Sequence, residues 1–301
     1  MMMLKLGLLQ TTKLAYTAVT IGPRSYAISK RAFSATTECT EGGKAGRGGQ
    51  SASPLAPLGV TAALEAADGE APRAKIFDEF SLHDRVGLVS GGNRGLGLEM
   101  AMALAEAGAR AVYCVDLATQ PSNEWKAVRD YLGRMNVEGG KAPRLEYVSA
   151  DVRDQAGMWQ IGQDIGDKEK RMDFCVAAAG ILKTHTDCLE YPAKQFQEVM
   201  DVNTNGVLYT VQAAGRQMSR FGRGGSIVLI ASMSGSITNR DHAWVSYNTS
   251  KSAVLQMTRS MACELGPKRI RVNSLSPGHI YTRRVVLFLI FFIRMRLKGE
   301  A

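Results

Sequence analysis

Eight residues constrain this fold more than any others: Ser90-Gly91-Gly92-Asn93-Arg94-Gly95-Leu96-Gly97. They follow a short apolar run, Val86-Gly87-Leu88-Val89, that reads as a buried parallel strand. They lead into residues 98–108, rich in helix formers and closed by Gly108. Strand, glycine turn and helix in this order are the context a dinucleotide site requires. Gly91 and Gly95 let the backbone bend and approach a pyrophosphate, and Gly97 lets the helix pack on the strand. The helix N-terminus adds donors and positive potential. The next strand, from Ala109 to Val115, ends at Asp116, 19 residues after Gly97. That is close to the roughly 20-residue offset of an acid that accepts from ribose hydroxyls. The spacing predicts nucleotide binding, with Asn93, Arg94 and Leu96 in the same loop.

A second constellation lies at Ser246-Tyr247-Asn248-Thr249-Ser250-Lys251. Tyr247 and Lys251 stand at i and i+4, so on a helix both side chains leave one face. An ammonium beside a phenol favours the phenolate and brings its pKa down from about 10 toward neutrality. Such a pair is a general acid/base for an alcohol or ketone.

The remaining chain alternates between strand and helix patterns. Strands are predicted at 86–90, 110–116, 144–149, 172–178, 225–231 and 269–275, with helices between them. One helix opens at Pro192, a favourable first-turn position, and one carries Tyr247 and Lys251. Alternation of this kind predicts a doubly wound parallel sheet, a Rossmann-type α/β domain with its ligand over the carboxyl ends of the strands.

With these motifs in this order, the chain resembles the short-chain dehydrogenase/reductase family over residues 76–282. Gly91, Gly95 and Gly97 match its TGxxxGxG loop, with Ser90 in place of the threonine. Asp151, followed by Val152, matches the acid the family places near adenine. Ala177-Ala178-Ala179-Gly180 stands where the family has Asn-Asn-Ala-Gly, so two bracing amides are lost while Ala178 and Gly180 keep their places beside the cofactor. Asn203, Ser232, Tyr247 and Lys251 match the catalytic tetrad. Ser234 is a rival to Ser232, which is preferred because the family's serine lies three residues before the glycine, here Gly235. Pro277-Gly278-His279-Ile280-Tyr281-Thr282 resembles the PGxIxT segment that holds the carboxamide, placing Pro277, Gly278, Ile280 and Thr282 at the nicotinamide.

The resemblance implies a mechanism. Tyr247 exchanges the proton of the carbinol oxygen, and Lys251 depresses its pKa and bonds the ribose. Ser232 stabilises the developing oxyanion, Asn203 holds a water, and the nicotinamide carries the hydride. Tyr247 follows Ser232 by 15 residues, which resembles fungal-type polyol dehydrogenases and sorbose reductases. The expected activity is therefore NAD(P)-dependent interconversion of a secondary alcohol and a ketone on a polyol or sugar. A mitochondrial 3-oxoacyl carrier reductase and a nucleotide-binding pseudoenzyme stay open as alternatives. Asp116 repels a 2′-phosphate and favours NAD, whereas Arg94 could pair with one, so NADP also stays open.

Composition bounds the partners. The formal net charge is +9, but residues 1–37 carry five bases and no acid, and residues 282–301 carry five bases against one acid. Residues 76–281 hold 23 bases and 22 acids, so no basic face for nucleic acid is implied. Five scattered cysteines without C-x-x-C spacing predict free thiols, with Cys114 and Cys175 inside buried strands. The four histidines do not cluster at ligand spacing, and no metal is expected. His242, in the loop before Tyr247 and close to the site, reads as a polar loop residue, with a contact to substrate as its other reading.

The first 37 residues are basic, hydroxyl-rich and acid-free, the composition of a mitochondrial transit peptide, and the expected location is the matrix. Residues 38–75, rich in Gly, Ala, Ser and Glu, read as a flexible linker. After Thr282 the family normally adds a helical lid and a last strand. Here residues 283–301 give Arg283-Arg284, then nine apolar residues from Val285 to Ile293, then Arg294. Nine are too few to span a bilayer as a helix. A substitute strand or packing helix, a membrane-surface anchor and an aberrant end are three readings of this tail. A homo-oligomer is expected where the family's C-terminus is intact.

Overall fold

The computed structural model describes residues 76–135, 141–183, 187–240 and 242–280, together with Leu64. The leader at 1–37, nearly all of the linker at 38–75, Thr282 and the tail at 283–301 lie outside them. Six strands form one parallel sheet in the order β3-β2-β1-β4-β5-β6. They are β1 (Val86–Ser90), β2 (Ala111–Asp116), β3 (Arg144–Ser149), β4 (Phe174–Ala177), β5 (Gly225–Ile230) and β6 (Ile270–Leu275). Every predicted strand is present, each within two residues of its expected ends. A short helix, α1 (Ile76–Glu79), precedes the sheet; α2 (Gly95–Glu106), α3 (Asn123–Gly133) and α4 (Gln155–Glu169) connect the first four strands. After β4 come α5 (Ala193–Met200), a π-turn at Asp201–Asn205 and α6 (Gly206–Phe221), and then α7 (Val245–Leu265) between β5 and β6.

Side chains alternate across the sheet, and each face has its own core. Val86 and Leu88 of β1 pack with Tyr113, Val115, Val211, Met218 and Ile227 on one face. Val89 packs with Leu98, Ala101, Val112, Cys114 and Trp125 on the other. The continuous apolar run of β1 is thus explained by burial on both sides, as parallel sheets require. The helices start and stop for local reasons. Ser122 Oγ accepts from Trp125 N at 3.0 Å and opens α3, Asp154 Oδ1 accepts from Gly157 N at 3.1 Å and opens α4, and Gly222 at φ +64 closes α6. Pro192 sits one position earlier than expected, as the cap before α5, because its ψ of 128 is still extended.

At the N-terminal edge of the sheet a charge network ties the elements together. Glu169, at the end of α4, is 9 % exposed and accepts from Tyr113 Oη at 2.6 Å, Arg144 at 2.5 Å and Arg110 at 3.2 Å. Burial pushes the Glu169 carboxyl up, but the bonds from Tyr113 and Arg144 and the charges of Arg144 and Arg110 outweigh it and hold it low. Cys114 and Cys175 are buried free thiols, each pushed up to about 12 chiefly by desolvation, so they behave as small apolar groups. Among the described residues no helix is long and apolar enough to cross a membrane.

Candidate active site

All the strands are parallel, so their carboxyl ends share one edge, and the predicted site residues in the described part of the chain gather along it. The strand order reverses between β1 and β4, the switch point where a crevice opens in such sheets. The glycine loop leaves β1 at that point. Gly91 adopts φ +70 and Gly95 φ +56, conformations that side chains disfavour. A Cβ on Gly97 would stand 2.2 Å from Gly91 O, so the first turn of α2 can lie against the loop only because Gly97 has no side chain. Arg94, at the cap position, makes no side-chain cap bond. The N–H groups of the α2 first turn therefore face the crevice beside a bare glycine backbone, which fits an anionic pyrophosphate. Leu96 is half-buried and Arg94 exposed.

At the end of β2, Asp116 accepts from Asn93 N at 3.1 Å and Leu117 N at 2.9 Å. Asn93 is itself locked, its Oδ1 accepting from Ser122 N at 2.7 Å and its carbonyl from Ser122 Oγ at 2.8 Å. The loop and the acid are thus held as one unit. After β3, Asp151 pairs with the Arg153 guanidinium at 2.5 Å, which holds its carboxyl below the usual range. Val152 is buried against Gly206. After β4, Ala178 N donates to Ser90 O at 3.2 Å and Ala179 N to Ser90 Oγ at 3.4 Å. Backbone and serine bonds therefore brace the strands at the place where two amides were missed. Gly180 faces both Asn203 Oδ1 and Lys251 Nζ; a Cβ there would lie 3.3 and 3.7 Å from them.

Asn203 sits fully buried in the π-turn between α5 and α6. Its amide clamps residue 181 from both sides, Oδ1 accepting from Ile181 N at 2.7 Å and Nδ2 donating to Ile181 O at 2.9 Å. The second amide hydrogen goes to Ser250 Oγ at 3.1 Å. Both amide hydrogens are therefore used by protein, and any solvent molecule on this side chain must donate to Oδ1. Ser250 also donates to Tyr247 O at 2.7 Å and so ties Asn203 to α7. Sequence reasoning did not single out Ile181 or Ser250; the one available sign was a small polar residue on the inner face of the Tyr247 helix.

Ser232 follows β5, is 7 % exposed, and its Oγ accepts from Ser234 N at 3.2 Å, capping a short turn. Its rival Ser234 instead donates to Asn239 Oδ1 at 2.7 Å. Lys251 is 4 % exposed; its Nζ donates to Ile230 O at 2.7 Å and lies 5.7 Å from the centre of the Tyr247 ring. Desolvation lowers the ammonium pKa to about 8. Trp244 meets the same tyrosine edge-on, with ring centres 6.1 Å apart. Pro277 O accepts from Met233 N at 3.1 Å, which fixes the Pro277–Gly278 segment beside the Ser232 turn. Ile280 is 41 % exposed at the rim, and Thr282 lies outside the described residues.

A sequence profile of the short chain dehydrogenase family matches residues 85–286. The chain belongs to the short-chain dehydrogenase/reductase family. It is 36 % identical over 208 residues to galactitol 2-dehydrogenase of Rhizobium johnstonii, covering 69 % of this chain and 76 % of that protein. It is 33 % identical over 203 residues to a sorbose reductase of Schizosaccharomyces pombe, covering 67 % and 76 %. Among solved structures, a short-chain type dehydrogenase/reductase from Mycobacterium marinum superposes with a TM-score of 0.63 at 34 % identity, covering 72 % of this chain and 82 % of that one. The family is one of oxidoreductases acting on CH–OH groups. Among the described residues no cluster of His, Cys, Asp and Glu could hold a metal ion.

Proposed function

We propose that this chain interconverts a secondary alcohol and a ketone on a polyol or sugar, with NAD as the preferred coenzyme. The observation that carries the reading is the buried Lys251 amine lying against the Tyr247 ring, one strand end from Ser232 and on the edge that holds the glycine loop. The glycine cradle and the uncapped start of α2 fit the pyrophosphate of a dinucleotide, and Asp116 at the end of β2 fits the ribose diol. When bound, the nicotinamide supplies or accepts the hydride. The chain's own residues manage the proton and the charge. Tyr247 donates its phenolic proton to the carbonyl oxygen in reduction and takes it back in oxidation. Lys251 uses one of its three donors on Ile230 O, which leaves two for a ribose hydroxyl, and its charge favours the tyrosinate form. Ser232 donates to the oxygen as negative charge develops on it. Asn203 holds residue 181 and, through Ser250, the backbone of Tyr247.

The substrate class rests on the relatives named above and on the 15-residue spacing from Ser232 to Tyr247. NAD over NADP rests on Asp116, whose carboxylate would repel a 2′-phosphate. Import into the mitochondrial matrix rests on the composition of residues 1–37. The test is coenzyme oxidation by the purified full chain with xylulose, with sorbose and with acetoacetyl-CoA. Turnover of the ketoses with NADH, and none of the thioester, is the expected result. Turnover of the thioester alone, or dinucleotide binding with neither substrate consumed, overturns the reading.

A further inference from the structure

We propose that Arg153 is a movable stopper on the adenine end of the coenzyme site, filling the Asp151 carboxylate in the free protein and passing to Asp201 when adenine takes its place. The inference rests on the dinucleotide reading above and deepens it, naming a residue that sets how tightly the coenzyme is held.

Ser149 of β3 lies level with Asp116 in the sheet ladder, so Asp151 stands two residues past the level of the ribose acid and one strand further out. That is where the adenine of a dinucleotide held at Asp116 reaches. The Asp151 carboxylate is already full. Its Oδ1 accepts from Arg153 N at 2.9 Å and Arg153 Nε at 3.0 Å, and its Oδ2 from Nε at 2.9 Å and Nη2 at 2.5 Å. A carboxylate has about four accepting directions, and this one neighbour occupies them all. Adenine brings a neutral exocyclic amine, a donor that can bond to Asp151 only where the guanidinium lets go.

The backbone on either side of Arg153 is pinned, so only its side chain can move. Val152 is buried against Gly206, where a Cβ would lie 2.7 Å from Val152 Cγ2, and Asp154 caps α4 by accepting from Gly157 N at 3.1 Å. The guanidinium borders a notch of about 460 Å³ lined by Asp151, Arg153, Asp154, Asp201, Asn205 and Tyr209. Asp201, the first residue of the π-turn, faces that notch. Its Oδ1 accepts from Gln197 Nε2 at 2.7 Å and Asn205 Nδ2 at 3.1 Å, which fixes the carboxylate and leaves Oδ2 without a partner among the described residues. Glu198, the other acid whose charge acts on the guanidinium, already pairs with Lys183 at 3.4 Å. Asp201 is therefore the acceptor to which a displaced arm goes. Exchanging one exposed carboxylate for another changes the free energy little, so adenine can drive the move. The new pair ties the β3–α4 turn to the segment that buries Asn203.

The experiment measures Kd for NADH by its fluorescence on the full chain, and Kd for adenosine and for nicotinamide mononucleotide by displacement of NADH. The proteins are the wild type, Arg153→Ala, Arg153→Lys, Asp201→Asn and the double variant of Arg153→Ala with Asp201→Asn. Adenosine carries no phosphate, so its affinity does not register the loss of a cation near the pyrophosphate. Arg153→Ala should tighten adenosine about three- to fivefold, the range of one exposed ion pair, while the mononucleotide stays within about 1.5-fold. NADH should tighten by less than adenosine, since the lost cation also attracts its phosphates. Arg153→Lys should fall between wild type and Arg153→Ala, because an ammonium cannot form the fork. Asp201→Asn should weaken adenosine about threefold where Arg153 is present and leave it unchanged in the Arg153→Ala background, a coupling that a merely structural effect does not produce. Unchanged or weaker adenosine binding in Arg153→Ala overturns the stopper, and an equal effect of Asp201→Asn in both backgrounds overturns the transfer. If the wild type binds no NADH, the dinucleotide reading falls and this inference falls with it.

Discussion

Lys251→Met should leave this protein as stable as the wild type or more stable at pH 7, and the difference should depend on pH in a defined direction. Lys251 is 4 % exposed, and desolvation brings its ammonium from the usual 10.5 to about 8. At neutral pH the charged form is thus about 3 kcal/mol less favourable in the fold than in water. Methionine removes that penalty at similar volume. It also removes the bond to Ile230 O, and leaving that buried carbonyl without its donor costs about 1–3 kcal/mol. The balance at pH 7 runs from no change to a gain of about 2 kcal/mol, a rise in Tm of up to about 6 °C. Between pH 8 and 10.5 the unfolded chain binds more protons than the folded one at this position, so the wild type gains stability as pH rises. Its penalty is fully present below pH 8 and is nearly gone above 10.5. Urea unfolding of both proteins at pH 7 and pH 10 should therefore show the advantage of Lys251→Met shrinking by roughly 2 kcal/mol. A stability difference that is the same at both pH values would refute the claim that burial sets this lysine's pKa. Activity should be lost in the variant at either pH, since stability and function oppose each other here.

Other parts of the account make separate predictions. Gly97→Ala drives a methyl to 2.2 Å from Gly91 O; it should cost about 1–3 kcal/mol of stability and weaken dinucleotide binding at least tenfold by calorimetry, and wild-type affinity would contradict the cradle. Asp116→Ala should move the ratio of NADP to NAD efficiency about tenfold toward NADP by removing a like charge; an unmoved ratio argues against Asp116 as the discriminating group. Glu169→Gln should lose about 2–3 kcal/mol at pH 7 in denaturant melts. Because the Glu169 carboxyl is held low in the fold, its stabilisation is present above about pH 4.5 and fades as pH falls further. The gap between variant and wild type should therefore narrow as pH falls below 4.5, and a gap that stays constant from pH 7 into acid contradicts the network's role.

What could be read from the sequence was what local pattern determines. The β1 run, the turn with Gly91, Gly95 and Gly97, and Asp116 at the end of β2 were legible because a strand, a helix start and a fixed offset each leave a short-range mark. The i,i+4 relation of Tyr247 and Lys251 was legible for the same reason. What escaped depends on residues distant in sequence. Lys251 was expected beside the phenol, yet its bond to Ile230 O spans 21 residues and follows from how α7 docks on β5. The two-sided clamp of Asn203 on Ile181 needs the π-turn at 201–205, which no periodicity announces. Losing the amides at Ala177 and Ala178 predicted a weaker brace, but Ser90 bonds to Ala178 and Ala179 from the neighbouring strand.

The central claim is that the Tyr247 oxygen carries the proton of the reaction, and removing that oxygen alone tests it most directly. Tyr247→Phe keeps the ring that Trp244 and Lys251 contact. Steady-state reduction of xylulose should fall in kcat by roughly 10²–10⁴-fold, while the Kd for NADH stays within about threefold of wild type. A variant that turns over at the wild-type rate with its hydroxyl gone would contradict the account.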